Sequence, residues 1–138
     1  MKTKSFTLVI LAIFGMVIFT NYTSKNTKET DASSLLFMLE EEKLAHDVYT
    51  FLYSKWETRP FANIKESEKV HMQKVQELLD QNKISYEMLP EGKFKKQNLQ
   101  KLYNDLTAKG KVSEIEALRA GATIEDIDIY DLQRLTKE

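Results

Sequence analysis

The sequence predicts an all-α fold, a small helical bundle in one domain. The chain has 138 residues but only 4 glycines and 2 prolines, too few for the turns of a β-sandwich or barrel. Apolar residues recur at alternating spacings of three and four in several segments, whereas no segment alternates convincingly with period two. The length leaves room for one domain, which excludes a two-domain enzyme.

Charge and cysteine content narrow the classes of function. Lys and Arg number 20 against 21 Asp and Glu, so no basic stripe is present and nucleic acid is not an expected partner. The absence of cysteine excludes disulfides, thiolate zinc sites, iron–sulfur clusters, a cysteine nucleophile and a lipidated cysteine. A metal would need carboxylates and the two histidines, His46 and His71.

Residues 1–25 predict a signal peptide or a membrane anchor. Lys2 and Lys4 precede an apolar run over residues 6–20, which is followed by a polar stretch. This order is typical of a secretory signal, and about 15 apolar residues are short for a membrane span. Ile18-Phe19-Thr20 lacks the small residues that a signal peptidase prefers, so an uncleaved membrane tether stays open. Both alternatives predict an extracytoplasmic protein, periplasmic or secreted.

The rest of the chain predicts a linker followed by three long helical stretches and one short helix. The linker is residues 26–32 and the domain is residues 33–138, with helices expected at about 33–53, 63–82, 97–107 and 113–135.

The first two helices are placed by their terminal signals. Asp31, Ser33 or Ser34 would cap the first helix, and Pro60 forces a break after Trp56. The second helix is expected to begin at a capping box. Its members are Asn63 and Glu66.

The last two helices are bounded in the same way. The third carries Leu99, Leu102 and Leu106 on one face and stops at Gly110. The fourth opens with a second capping box and is expected to kink at Gly121. The residues of that box are Ser113 and Glu116.

Three glutamates fall inside apolar stripes. Glu42 lies in the stripe of the first helix, Glu68 and His71 lie one turn apart in that of the second, and Glu125 lies in that of the last. A buried ionised carboxylate costs several kcal/mol unless it protonates, pairs or binds a metal. Carboxylates with imidazole suit iron or manganese, and a Glu-x-x-His pair is how helical bundles build di-iron centres. Asp128, three residues after Glu125, is a further candidate ligand.

Simpler interpretations stand beside the metal site. A glutamate three residues before a histidine arises by chance about 0.2 times in a chain of this composition. Glu42 could belong to a solvated acidic run, and His71 could be a core histidine bonded to its neighbour. His46 is expected at the surface. Tyr49 and Tyr130 could donate to the site, although a buried tyrosine with a bonded hydroxyl is commoner.

Three segments in order also resemble a known family. They are residues 40–49 (EEEKLAHDVY), 67–72 (SEKVHM) and 121–132 (GATIEDIDIYDL). The sequence resembles the bacterial ferritin-like proteins of domain of unknown function 2202, a family similar to rubrerythrins and ferritins. The likeness extends from about Leu35 to Leu135.

The resemblance implies a ferritin-like bundle with a di-iron-type site. Glu42 looks like the first-helix glutamate, Glu68 like the bridging one, His71 like its imidazole partner and Glu125 like the third-helix glutamate. Such bundles carry a fourth long helix with its own ligand pair, whereas this chain stops at Glu138. The bundle is therefore expected to be incomplete.

Three alternatives would account for an incomplete bundle. Its short helix and the export segment cover the open side, a second copy completes the bundle in a homodimer, or the reading frame is truncated. A site that lacks one histidine and a bridging carboxylate should bind a second metal poorly.

Two functions follow as expectations. The first is an exported domain with a full or partial site for two iron ions, or for manganese, that reacts with oxygen or peroxide or oxidises Fe(II). The second is a non-catalytic helical module without bound metal, which uses an exposed apolar face to bind a partner.

Overall fold

Four helices make up the regular structure of residues 25–135, whose backbone the computed structural model describes; side chains are described for residues 32–130. The helices are α1 (Lys25–Trp56), α2 (Arg59–Gln81), α3 (Gln97–Gly110) and α4 (Glu114–Leu135). No strand occurs in this range. The all-α prediction is confirmed, and the predicted export segment lies outside the described residues except for Lys25.

The first helix begins earlier than the sequence patterns indicated. It starts at Lys25, so residues 26–32, predicted as a linker, continue α1. These residues contain no glycine or proline, and polar residues such as Ser33 favour a helix start without preventing a helix from extending past them. Among the described residues, no helix combines the length and apolar character needed to cross a membrane.

The second helix also begins before its predicted start. Thr58 is its N-cap and Pro60 lies in its first turn, where the missing N–H of proline leaves no hydrogen bond unmade. Glu57 has a φ of 49°, which lets the chain reverse direction between α1 and α2. The capping box predicted at Asn63 and Glu66 is therefore wrong, because both residues lie inside α2.

The fourth helix begins as predicted. The backbone N–H of Glu116 donates a hydrogen bond of 3.2 Å to Ser113 Oγ, which confirms this cap. The helix continues without a break through Gly121.

The first helix is central, because it packs against all three others, whereas α2 packs against α1 alone among the helices that the structure describes. Leu39 packs with Val75 and Leu79, and the rings of Tyr49 and Phe61 lie 6.1 Å apart, so α2 runs antiparallel to α1. The main core lies where α1 meets α3 and α4. Its fully buried members include Val48, Leu52, Ala117, Ala120 and Ile124.

A buried ion pair between Lys43 and Asp47 attaches the α2–α3 loop to α1. Lys43 Nζ donates to the carbonyl of Pro90 at 3.1 Å, and the N–H of Gly92 donates to Asp47 Oδ2 at 2.8 Å. Burial would raise the pKa of Asp47, but hydrogen bonds from His46, Lys43 and Gly92 outweigh it and hold this pKa below its ordinary value. The loop is thus fixed by charged hydrogen bonds as well as by apolar contacts.

The carboxyl ends of α1 and α3 meet through close contacts. Trp56 Nε1 donates to the carbonyl of Gly110 at 2.8 Å. A Cβ atom at Gly110 would collide with Cδ2 of the fully buried Leu52, so this position requires glycine for close approach.

Candidate metal centre

Glu42, Glu68 and His71 meet at the contact between α1 and α2. One ligand atom from each residue lies within 4.8 Å of the other two. His71 Nδ1 is 3.0 Å from Glu68 Oε2 and 3.3 Å from Glu42 Oε2. A single ring nitrogen therefore faces two carboxylates on different helices.

Helical spacing places these groups. Glu68 and His71 are three residues apart, so both side chains point from the same face of α2 towards α1. Glu42 projects from α1 to meet them. Glu68 is 3% exposed, whereas the side chains of Glu42 and His71 are 16% and 25% exposed. The cluster is closed at Glu68 and open to solvent on the His71 side.

The contacts of the cluster change the pKa values of His71 and Glu68. Hydrogen bonds with Glu42 and Glu68 raise the pKa of His71 to about 10, although burial opposes this. Burial and the neighbouring charge of Glu42 raise the pKa of Glu68 above its ordinary value, against the hydrogen bond with His71. Without a cation His71 keeps its second ring proton at neutral pH, and a metal that takes this imidazole as a ligand would displace that proton.

Glu125 lies beside this cluster without joining the group of three. Its Oε1 accepts a hydrogen bond of 2.7 Å from the hydroxyl of Tyr49, which is 1% exposed. Burial raises the pKa of Glu125, and the charge of Glu68 raises it further. A Cβ atom at Gly121 would lie 3.0 Å from the Tyr49 hydroxyl, so this glycine lets α4 approach α1 closely.

Asp128 is half-buried on the same side of α4. Burial raises the pKa of Tyr49 most, followed by Glu125 and Glu68, and the charge of Asp128 adds to this. Asp128 too is outside the group of three. Tyr130 is 66% exposed, so it does not donate to a buried site. His46 is partly buried rather than fully exposed, and its Nδ1 lies 3.2 Å from Asp47 Oδ1, in a different set of contacts from His71.

The structure contains two side-chain pairings that the sequence patterns did not indicate, although Tyr49, named as a possible donor to the site, does donate to one of the candidate acids. The buried Lys43–Asp47 pair has the i,i+4 spacing of an ordinary surface ion pair, so its sequence signal does not distinguish it. The bond between Tyr49 and Glu125 joins residues 76 positions apart, and no local spacing indicates it.

The donor set of the cluster is two carboxylates and one imidazole. An imidazolium neutralises only one of two ionised carboxylates, so a negative charge remains in a largely buried place. A divalent cation balances both carboxylates and uses the neutral imidazole as a third donor. Oxygen and nitrogen donors of this kind fit iron or manganese, and the residues present are therefore compatible with either ion.

Comparisons with known proteins give one family. A family model described as an uncharacterized protein domain, DUF2202, matches residues 31–138. The uncharacterized protein MJ0754 of Methanocaldococcus jannaschii is 45% identical over 108 residues, which are 77% of this chain and 58% of that protein. A crystal structure of hypothetical protein MJ0754 matches at a TM-score of 0.75 and 42% identity, over 83% of this chain and 65% of the other. The chain thus spans less than two thirds of the relative's length.

Proposed function

This chain belongs to the DUF2202 family, and we propose that it binds iron or manganese between α1 and α2 through Glu42, Glu68 and His71. The observation that supports this most directly is the convergence of two carboxylates on one imidazole nitrogen, at 3.0 and 3.3 Å. Burial raises the pKa of Glu68, and the charge of Glu42 raises it further, because one imidazolium leaves a net negative charge between two ionised carboxylates. Metal binding would relieve that imbalance.

We propose further that the fold is ferritin-like and that the site is a full or partial centre for two metal ions. Glu125 and Asp128 are the carboxylates on α4 from which a second ion would draw donors. Bound iron or manganese would supply one-electron exchange with oxygen or peroxide, and Fe(II) itself would be a substrate for oxidation. Tyr49 holds Glu125 in position through its hydroxyl.

Metal content tests this proposal. The purified full chain is loaded anaerobically with Fe(II) or with Mn(II), and bound metal per chain is counted after removal of the excess. We expect one to two ions per chain, with Glu68→Ala and His71→Ala losing most of this binding. Glu66→Ala, exposed on the same helix, is the matched control and should bind as the unaltered chain does. Absence of binding, or equal binding in all variants, would overturn the proposal.

We also propose that the protein is exported. Support comes from the two lysines and the apolar run within residues 1–25. A carboxyl-terminal alkaline phosphatase fusion, active only outside the cytoplasm, should be active with these residues and inactive without them. Equal activity of both fusions would contradict export by this segment.

A further inference from the structure

One side of α4 carries apolar residues that nothing in the described structure covers. Ile115, Leu118 and Ile129 are 63%, 49% and 50% exposed, and Ala122 between them is exposed as well. Their spacings of three, four and seven place all four on one stripe, which we call the α4 stripe. The packed side of the helix is different. It is formed by Ala117, Ala120, Gly121 and Ile124.

The α4 stripe lies next to the candidate metal centre. Glu125 is three residues after Ala122 and four residues before Ile129, so it continues the helical spacing of the stripe. The stripe therefore borders the side of α4 that holds Glu125 against Tyr49. Within the described residues α4 packs on α1 and α3 and makes no packing contact with α2.

The charges beside the stripe match an antiparallel copy of the same helix. Arg119 and Asp126 both flank it, seven residues apart, and their midpoint is next to Ala122. In an antiparallel α4–α4 pair centred there, Arg119 of one copy faces Asp126 of the partner subunit, and the reverse pair forms by symmetry. Arg119 already bonds Glu116, but its side chain is 65% exposed and can donate to a second carboxylate.

We propose that two copies of this chain associate through antiparallel packing of their α4 stripes, held in register by Arg119–Asp126 pairs. Each stripe buries apolar side chains that are exposed in a single copy. The contact also covers the solvent side of α4 beside Glu125. This association does not require metal, so it stands apart from the proposed metal function.

Crosslinking of the full chain tests the contact, because the protein contains no cysteine. Ala122→Cys places a single thiol at the centre of the stripe, where a short bis-maleimide should join two chains. Ala108→Cys, exposed on α3, is the matched control and should stay uncrosslinked. Crosslinking of neither variant, or of both to the same extent, would overturn the proposal.

Charge reversal tests the antiparallel register. R119D alone and D126R alone should each raise the dissociation constant, measured by sedimentation velocity, by about tenfold, because both symmetric pairs become repulsive. The double variant R119D/D126R should return to within about threefold of the unaltered chain, because the pairs re-form with their charges exchanged. Circular dichroism checks that each variant is folded. A folded double variant that stays dissociated would overturn the antiparallel register. Metal content per chain should be the same in the unaltered chain and in all three variants.

Discussion

Raising the pH from 7.5 to 8.5 should destabilise the metal-free protein through His71. Glu42 and Glu68 raise the pKa of this imidazole to about 10 in the folded chain, whereas an unperturbed histidine has a pKa of about 6.5. Across this interval the folded state keeps a proton that the unfolded state has almost completely lost. Unfolding therefore releases a proton and becomes easier as the pH rises.

Proton linkage sets the size of this effect. An unfolded histidine is about a tenth protonated at pH 7.5 and about a hundredth at pH 8.5, while a group with a pKa near 10 stays almost fully protonated. The free energy of unfolding should then fall by about 1.2 kcal/mol over this unit of pH. The stabilisation is complete below about pH 6.5 and is lost as the pH rises through about 10.

Guanidinium denaturation followed by circular dichroism, with a chelator present, measures the effect. His71→Gln should remove the drop of about 1.2 kcal/mol, whereas His46→Gln should retain it, because His46 lies outside the cluster. Other groups that titrate in this range contribute equally to all three proteins. If His71→Gln and the unaltered chain lose the same stability, the reasoning about the cluster is refuted.

Three other outcomes are expected. Asp47→Asn leaves the buried ammonium of Lys43 without its anion and should cost about 3 kcal/mol in urea denaturation, whereas Asp105→Asn, which breaks an exposed pair, should cost less than about 0.5 kcal/mol. Gly110→Ala should cost about 1–3 kcal/mol and Leu52→Ala about 2–4 kcal/mol. In thermal unfolding, the double variant should lose less stability than the two single variants together, because alanine at position 52 leaves room for the methyl group at position 110. Strictly additive losses would contradict a contact between these two residues. Mn(II) binding at pH 7.5 should release about one proton, seen by calorimetry in two buffers of different ionisation enthalpy, and binding without release would contradict the cluster's protonation.

The centre of the candidate site could be predicted from helical spacing alone. Residues three and four apart share a helix face, so an acid in an apolar stripe must point at the neighbouring helix. This rule selected Glu42, Glu68 and His71, and the structure brings their side chains together. Whether they bind metal stays a prediction.

Whether the acids of α4 join the site depends on how the helices pack against one another. The spacing of residues along one helix does not determine this packing. Glu125 and Asp128 share the correct face of α4. In the described part of the chain they nevertheless lie outside the group of three, because α4 packs on α1 and not on α2 there. The contact with Tyr49 further depends on the absence of a side chain at Gly121. The predicted start of α2 was wrong for a local reason. Pro60 correctly predicts the break after Trp56, but proline is also favoured in a first turn, so α2 begins at Arg59 rather than at Asn63.

Trp56 is the chain's single tryptophan, and its indole bonds the carbonyl of Gly110 where α1 meets α3. Its fluorescence consequently reports whether α3 is packed against α1. The candidate metal centre lies between a different pair of helices, α1 and α2. A titration in which emission stays constant while metal binds would mean local filling of a preformed site. A shift in emission wavelength would mean that metal binding between α1 and α2 also changes the contact between α1 and α3.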